Sequence, residues 1–88
     1  MADIKLKKRI RDLLKTEVFD DPDDLVDVSD GDTEDSIHVV VVSRKFDQVP
    51  FENKEDMIWS LLQKELSPDE WGKVTLSVAV SPAELKAI

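Results

Sequence analysis

The residues best suited to chemistry lie in one acidic segment in the middle of the chain. Residues 27–35, DVSDGDTED, carry five carboxylates around one glycine. Calcium loops of the EF-hand type place oxygen ligands at their first, third and fifth positions and a glycine at the sixth. If Gly31 is that glycine, Val26 and Val28 fall at the first and third positions. Because valine side chains have no oxygen, the segment does not match an EF-hand, and only adventitious cation binding stays open.

The single histidine, His38, is the other candidate for metal chemistry. It lies inside an apolar run, and no second histidine or cysteine exists to join it. One ligand does not make a metal site, so we expect His38 to be a surface or sheet-face residue. The carboxylates stand without a nucleophile or base at a recognisable spacing. We therefore predict that the protein is not an enzyme and holds no cofactor.

Charge is distributed unevenly along the 88 residues, whose net charge is -8. Residues 1–18 carry six basic and three acidic side chains, whereas residues 19–36 carry nine acidic side chains and no basic one. A field of this sign repels phosphate backbones, which disfavours general nucleic-acid binding. A local basic surface remains an alternative, with Lys5, Lys8 and Arg9 in the range 5–11 and with Arg44, Lys45 and Lys54. No stretch is apolar enough for a membrane span, and we expect a cytoplasmic protein that does not bind membranes.

Periodicity and capping signals predict one domain over residues 1–88. The predicted elements are a helix at 3–17, a strand at 24–28, a strand at 37–43, a helix at 54–66, a short helix at 68–71, a strand at 73–80 and a helical turn at 82–87.

Details of three elements can also be predicted. The strand at 37–43 is apolar on both faces and should be central, whereas the acidic strand at 24–28 should be an edge. In the strand at 73–80, strict alternation places Val74, Leu76, Val78 and Val80 on the buried face. Asn53, with Asp56 three residues later, should cap the helix at 54–66, and Ser67-Pro68-Asp69-Glu70 is a capping box.

In order, VVVVSRKF, NKEDMIWSLLQKELS and TLSVAVSP span residues 39–82. They resemble the valine-rich strand, basic-aromatic turn, helix, E-L-S junction and final strand of the BolA family. The leading helix and first strand also fit, so the resemblance covers nearly the whole chain. It implies a class II KH-like α/β fold in the order α-β-β-α-α-β(-α). This fold has a three-stranded mixed sheet with helices packed on one face.

Several positions depart from the family pattern. Gln48 stands where the turn usually has glycine, and Lys54, Glu55 and Asp56 replace an Arg-His-Arg cluster. Lys73 replaces the histidine that the resemblance implies as ligand of a [2Fe-2S] cluster shared with monothiol glutaredoxins. A protonated lysine has no lone pair for iron, and residues 29–36 hold neither histidine nor cysteine. We therefore predict that the cluster site is absent.

The resemblance implies a non-enzymatic interaction or regulatory module related to stress response or transcription. Its partner would be a protein, either a monothiol glutaredoxin or another, and its oligomeric state a monomer or weak homodimer. The alternative is a KH-like nucleic-acid-binding protein. Whether Trp59 and Trp71 belong to the core or to a contact surface stays open. The predicted partner-binding residues are Arg44, Lys45, Phe46, Lys54, Trp71 and Lys73.

Overall fold

The computed structural model describes residues 3–86. Its elements are α1 (Ile4–Glu17), β1 (Leu25–Asp30), β2 (Ile37–Val42), a 3-10 helix (Arg44–Phe46), α2 (Phe51–Glu65), α3 (Pro68–Trp71), β3 (Val74–Val80) and α4 (Pro82–Lys86). Residue 87 of the predicted final turn lies outside the described residues. None of the helices between residues 3 and 86 is long and apolar enough to cross a lipid bilayer.

The three strands form one mixed sheet in the order β1-β2-β3. β1 pairs with β2 in antiparallel fashion, and β2 pairs with β3 in parallel. The parallel pair is possible because α2 and α3 form the crossover between its strands. The predicted fold class is thus confirmed, with β2 in the centre and the acidic strand β1 at an edge.

One face of the sheet carries the core. Ile37, Val39 and Val41 of β2 are fully buried there. α1 contributes Leu6, Ile10 and Leu14, which are spaced by four residues and so share one helix face. Ile4, at the start of α1, is exposed. Further core side chains come from the segments that connect the sheet and from α2, including Phe19, Phe46, Ile58, Leu62 and Leu66.

β3 presents the opposite face from the one predicted. Its pairing with β2 shifts by one residue, from Ile37 opposite Val74 to His38 opposite Leu76. An extra residue in one strand interrupts the alternation and moves every later side chain to the other face. As a result Ala79 lies in the core, whereas Leu76 is 46% exposed. The predicted buried set is therefore wrong after Val74.

The two helix starts of the crossover differ from each other. α2 begins at Phe51 with Pro50 as its N-cap and no side-chain cap, so the predicted Asn53 cap is wrong. At α3 the predicted capping box is present. Ser67 Oγ accepts from the Glu70 N–H at 3.3 Å, and Glu70 Oε1 accepts from the Ser67 N–H at 2.9 Å. This backbone hydrogen bond from Ser67 holds the pKa of Glu70 below its ordinary value.

Candidate functional site

The fold brings Lys73 beside the loop that precedes β2. Together they line a shallow cleft of about 220 Å³. In its wall, Ser36 Oγ donates to the Thr33 carbonyl at 3.0 Å and accepts from the Thr33 N–H at 2.9 Å, which closes the loop. The cleft offers hydroxyl groups, one carboxylate and one ammonium group. Its lining residues are Thr33, Asp35, Ser36, Gly72, Lys73 and Thr75.

His38 lies away from the core, on the sheet face opposite Ile37 and Val39. It is half-buried and pairs in register with Ser29 of β1. Within residues 3–86, no group of three or more histidine, cysteine, aspartate or glutamate side chains is placed to hold a metal ion. What the cleft and His38 offer is therefore polar and cationic contact, not a ligand set.

The predicted contact residues after β2 are largely engaged inside the protein. Phe46 is only 1% exposed, and the centroid of its ring lies 5.4 Å from the centroid of the Phe19 ring. Lys45 Nζ donates to Asp24 Oδ2 at 3.0 Å and to Asp20 Oδ1 at 3.2 Å. The Phe46 ring is therefore not accessible to a partner, whereas Arg44 is exposed.

Asp24 is the centre of a buried polar cluster that the sequence did not reveal. Its side chain is 4% exposed, and its Oδ1 accepts from Ser43 Oγ at 2.7 Å. Burial alone would raise the pKa of Asp24, but the hydrogen bonds from Ser43 and Lys45 outweigh burial and hold the pKa below its ordinary value. The same hydrogen bond to Asp24 raises the pKa of Lys45. This cluster fixes the segment before β1 to the end of β2.

Lys54 occupies one of the positions where the resemblance implies a basic cluster. Its side chain is buried, and its Nζ lies 2.5 Å from Glu84 Oε1 at the start of α4. The hydrogen bond from Lys54 lowers the pKa of Glu84. Glu84 Oε1 also accepts from the Ser81 N–H at 2.9 Å. Lys54 therefore ties α2 to α4 and is not presented to a phosphate or a partner.

The tryptophans pack on one another at the helix layer. Their ring centroids lie 6.0 Å apart in an edge-to-face arrangement, and both residues are half-buried. Trp59 Nε1 donates to Ser77 Oγ of β3 at 3.1 Å. Ser77 Oγ in turn donates to Glu55 of α2. Trp59 thus anchors β3 to α2, and Trp71 is partly exposed.

The basic face of α1 is only partly available. Arg9 binds Glu70 Oε2 at 3.1 Å and the Glu65 carbonyl at 3.0 Å, which joins α1 to the crossover. Lys5 and Lys8 are exposed. A shallow cleft of about 240 Å³ on this face is lined by Ile4, Lys7, Lys8, Arg11 and Val28. Lys54 is not part of this cleft, so the predicted nucleic-acid residues do not form a single surface.

The sheet face opposite the core carries apolar side chains that the predicted contact residues do not include. In the pairing registers, Leu25 of β1, Val40 of β2 and Leu76, Val78 and Val80 of β3 share this face, opposite to the helices. Leu25 is 54% exposed, and the three valines are half-buried. We call the surface formed by these five residues, Leu25, Val40, Leu76, Val78 and Val80, the open face. The apolar residues on both sides of β2 were the sequence signal for it.

No protein-family model matches the chain, and comparisons with curated proteins and with solved structures gave no match either.

Proposed function

We propose that the protein is a non-enzymatic, cytoplasmic interaction module similar to the BolA family, with a regulatory role of the stress- or transcription-related kind. It binds a protein partner through the open face. The family part of this proposal rests on the sequence resemblance, together with a small α+β domain whose mixed sheet carries its helices on one side.

The observation that carries the proposal is the exposed apolar character of the open face. Contiguous apolar patches on soluble domains are typical of binding surfaces, because leaving them in water is unfavourable. The predicted contact residues are weaker candidates, since Lys54 and Phe46 are buried and Lys45 is held by two aspartates. The five side chains that define the open face are exposed or half-buried.

The charge beside the open face indicates the chemistry of the partner. Asp27 lies on this face in β1, and the segment 19–36 around it carries nine acidic and no basic side chains. Charge complementarity favours a partner whose apolar surface is bordered by lysine or arginine. A second acidic copy of this chain is disfavoured in that position.

Changing Val40 to lysine is expected to abolish partner binding, because it places a charge in the middle of the open face. The measurement is affinity capture from extracts of the cells that make the protein, comparing wild type with Val40→Lys. Ile4→Lys is the matched control, since Ile4 is exposed on α1. Proteins retained by wild type and by Ile4→Lys, but lost with Val40→Lys, support the proposal.

An identical set of proteins on all three variants contradicts the proposal. Nucleic acid that is retained at low salt and released as salt is raised favours the second candidate, a KH-like nucleic-acid-binding protein. The cleft of α1 is the feature that supports this second candidate, because Lys7, Lys8 and Arg11 line it together.

A monothiol glutaredoxin carrying its [2Fe-2S] cluster is expected to keep its visible absorption and circular-dichroism spectra when this protein is added. The reason is that Lys73 offers no lone pair to iron. A new signature with wild type that disappears in His38→Ala would contradict the absence of a cluster site.

A further inference from the structure

β3 is an edge strand without the features that usually protect an edge. Its sequence, VTLSVAV, has neither charge nor proline. The other edge strand, β1, carries Asp27 and Asp30. Exposed edges pair readily with further strands unless charge, proline or covering elements prevent it. The sheet is therefore protected on one edge and open to pairing on the other.

The backbone pattern shows which groups of β3 are available. The Ile37 N–H donates to the Lys73 carbonyl at 2.8 Å, and the Ser43 N–H donates to the Val80 carbonyl at 3.0 Å. Because strand residues alternate in the direction of their backbone groups, Ser77 and Ala79 direct their N–H and C=O toward the free edge. The hydrogen bonds of Ser77 Oγ with Trp59 and Glu55 fix this part of β3 on α2.

We propose that β3 pairs with β3 of a second copy of this chain, in antiparallel orientation, to form a continuous six-stranded sheet. The two-fold axis passes beside Val78, because the residues after the register shift, 76–80, are centred there. In this register Ser77 and the partner's Ala79 exchange both backbone hydrogen bonds. On the open face, Val78 meets the partner's Val78, and Leu76 meets the partner's Val80. Each cross-strand pair on that face is apolar.

The acidic strand β1 does not oppose this occupant in this arrangement. In the six-stranded sheet the two β1 strands are outermost, about 24 Å apart at five strand spacings. This exceeds the screening length of about 8 Å at physiological ionic strength, so the acidic segments hardly repel each other. Packing two open faces together would instead bring β1 within about 10 Å of the other sheet. The edge is thus the surface on which two copies with a net charge of -8 can meet.

The proposed contact is one strand wide, so the surface area that it buries is smaller than the roughly 800 Å² per partner of a standard interface. We expect a concentration-dependent dimer with a dissociation constant above about 1 µM. The dimer does not rest on the proposed function, since it needs only the edge of β3.

Sedimentation velocity from about 10 µM to 1 mM protein tests the pairing and its register, because only a pairing centred on Val78 places that residue opposite itself. Wild type is expected to shift from monomer to dimer. Val78→Lys and Val78→Glu are each expected to remain monomeric, whereas their equimolar mixture re-forms the dimer. Val40→Lys, on the same face but in the central strand, is the control and should dimerise like wild type.

A wild type that stays monomeric at 1 mM overturns the proposal, and so does a Val78→Lys variant that still dimerises. Loss of the dimer in Val40→Lys alone would instead indicate pairing through the open face and would also overturn it. Hydrogen exchange of wild type gives a measurement without substitutions. The amides of Ser77 and Ala79 should gain protection as concentration rises, while the amides of β1 stay unchanged.

Discussion

Replacing Phe46 by alanine is expected to destabilise the protein by about 3–5 kcal/mol. The side chain is 1% exposed, and its ring contacts Phe19 within the core. Removing it eliminates buried apolar area and leaves a cavity beside Phe19. Since small domains are stable by only about 5–15 kcal/mol, the loss is a large share of the total. Denaturant unfolding followed by tryptophan fluorescence measures the change.

Phe51→Ala is the matched control, because Phe51 is 84% exposed at the start of α2. Its effect should stay within about 0.5 kcal/mol. Equal losses for the two variants would contradict the assigned core. The comparison also bears on function, because Phe46 was one of the predicted contact residues. A binding defect in Phe46→Ala would follow from unfolding and would not identify an interface.

The sequence correctly predicted those parts of the fold that depend only on residues close together in the chain. The capping box of α3 needs only Ser67 and Glu70, three residues apart, and it forms as predicted. The central position of β2 followed from its apolar residues on both faces. The start of α2 could not be predicted from Asn53 in the same way, because Pro50 already sets an extended backbone and the helix begins three residues earlier than predicted.

The register of β3 could not be predicted from the sequence for a different reason. A β-bulge depends on how two strands pair across the crossover, and the alternation of VTLSVAV favours the phase that the bulge reverses after Val74. The placement of Leu76, Val78 and Val80 on the open face followed only from the pairing. Because of this register, the apolar side chains of β3 lie on the open face, next to the uncharged backbone edge of the same strand. The open face and the proposed dimer edge therefore both belong to β3. The open face uses the side chains of Leu76, Val78 and Val80, whereas the dimer edge uses the backbone groups of Ser77 and Ala79.

Asp24 was also hidden in the sequence, because it is one of nine acids in an apparently solvated segment. Its burial depends on Ser43 and Lys45, which are distant in the chain and close only in the folded state. Buried carboxylates are retained when hydrogen bonds compensate for the loss of water. Burial and pairing, not the acid content of the segment, therefore distinguish Asp24 from its neighbours.

Changing Asp24 to asparagine is expected to destabilise the protein by about 1–3 kcal/mol near neutral pH. The amide group removes the buried one of the two carboxylates that Lys45 contacts, and its single oxygen cannot accept from both Ser43 and Lys45 as the carboxylate does. Asp23→Asn is the matched control, since Asp23 is exposed and the change in net charge is identical. Its effect should stay within about 0.5 kcal/mol. The measurement is denaturant unfolding of the three proteins at several pH values.

The pH dependence of that difference follows from the direction of the pKa shift. The pKa of Asp24 in the folded protein lies below its ordinary value of 3.8, which applies to the unfolded chain. The carboxylate therefore contributes its full stabilisation above about pH 4, and this is lost as pH falls through the folded-state pKa. The gap between wild type and Asp24→Asn should narrow below pH 4, because protonated Asp24 resembles the amide. A gap that widens on acidification would mean that burial, and not the hydrogen bonds from Ser43 and Lys45, controls this carboxyl group.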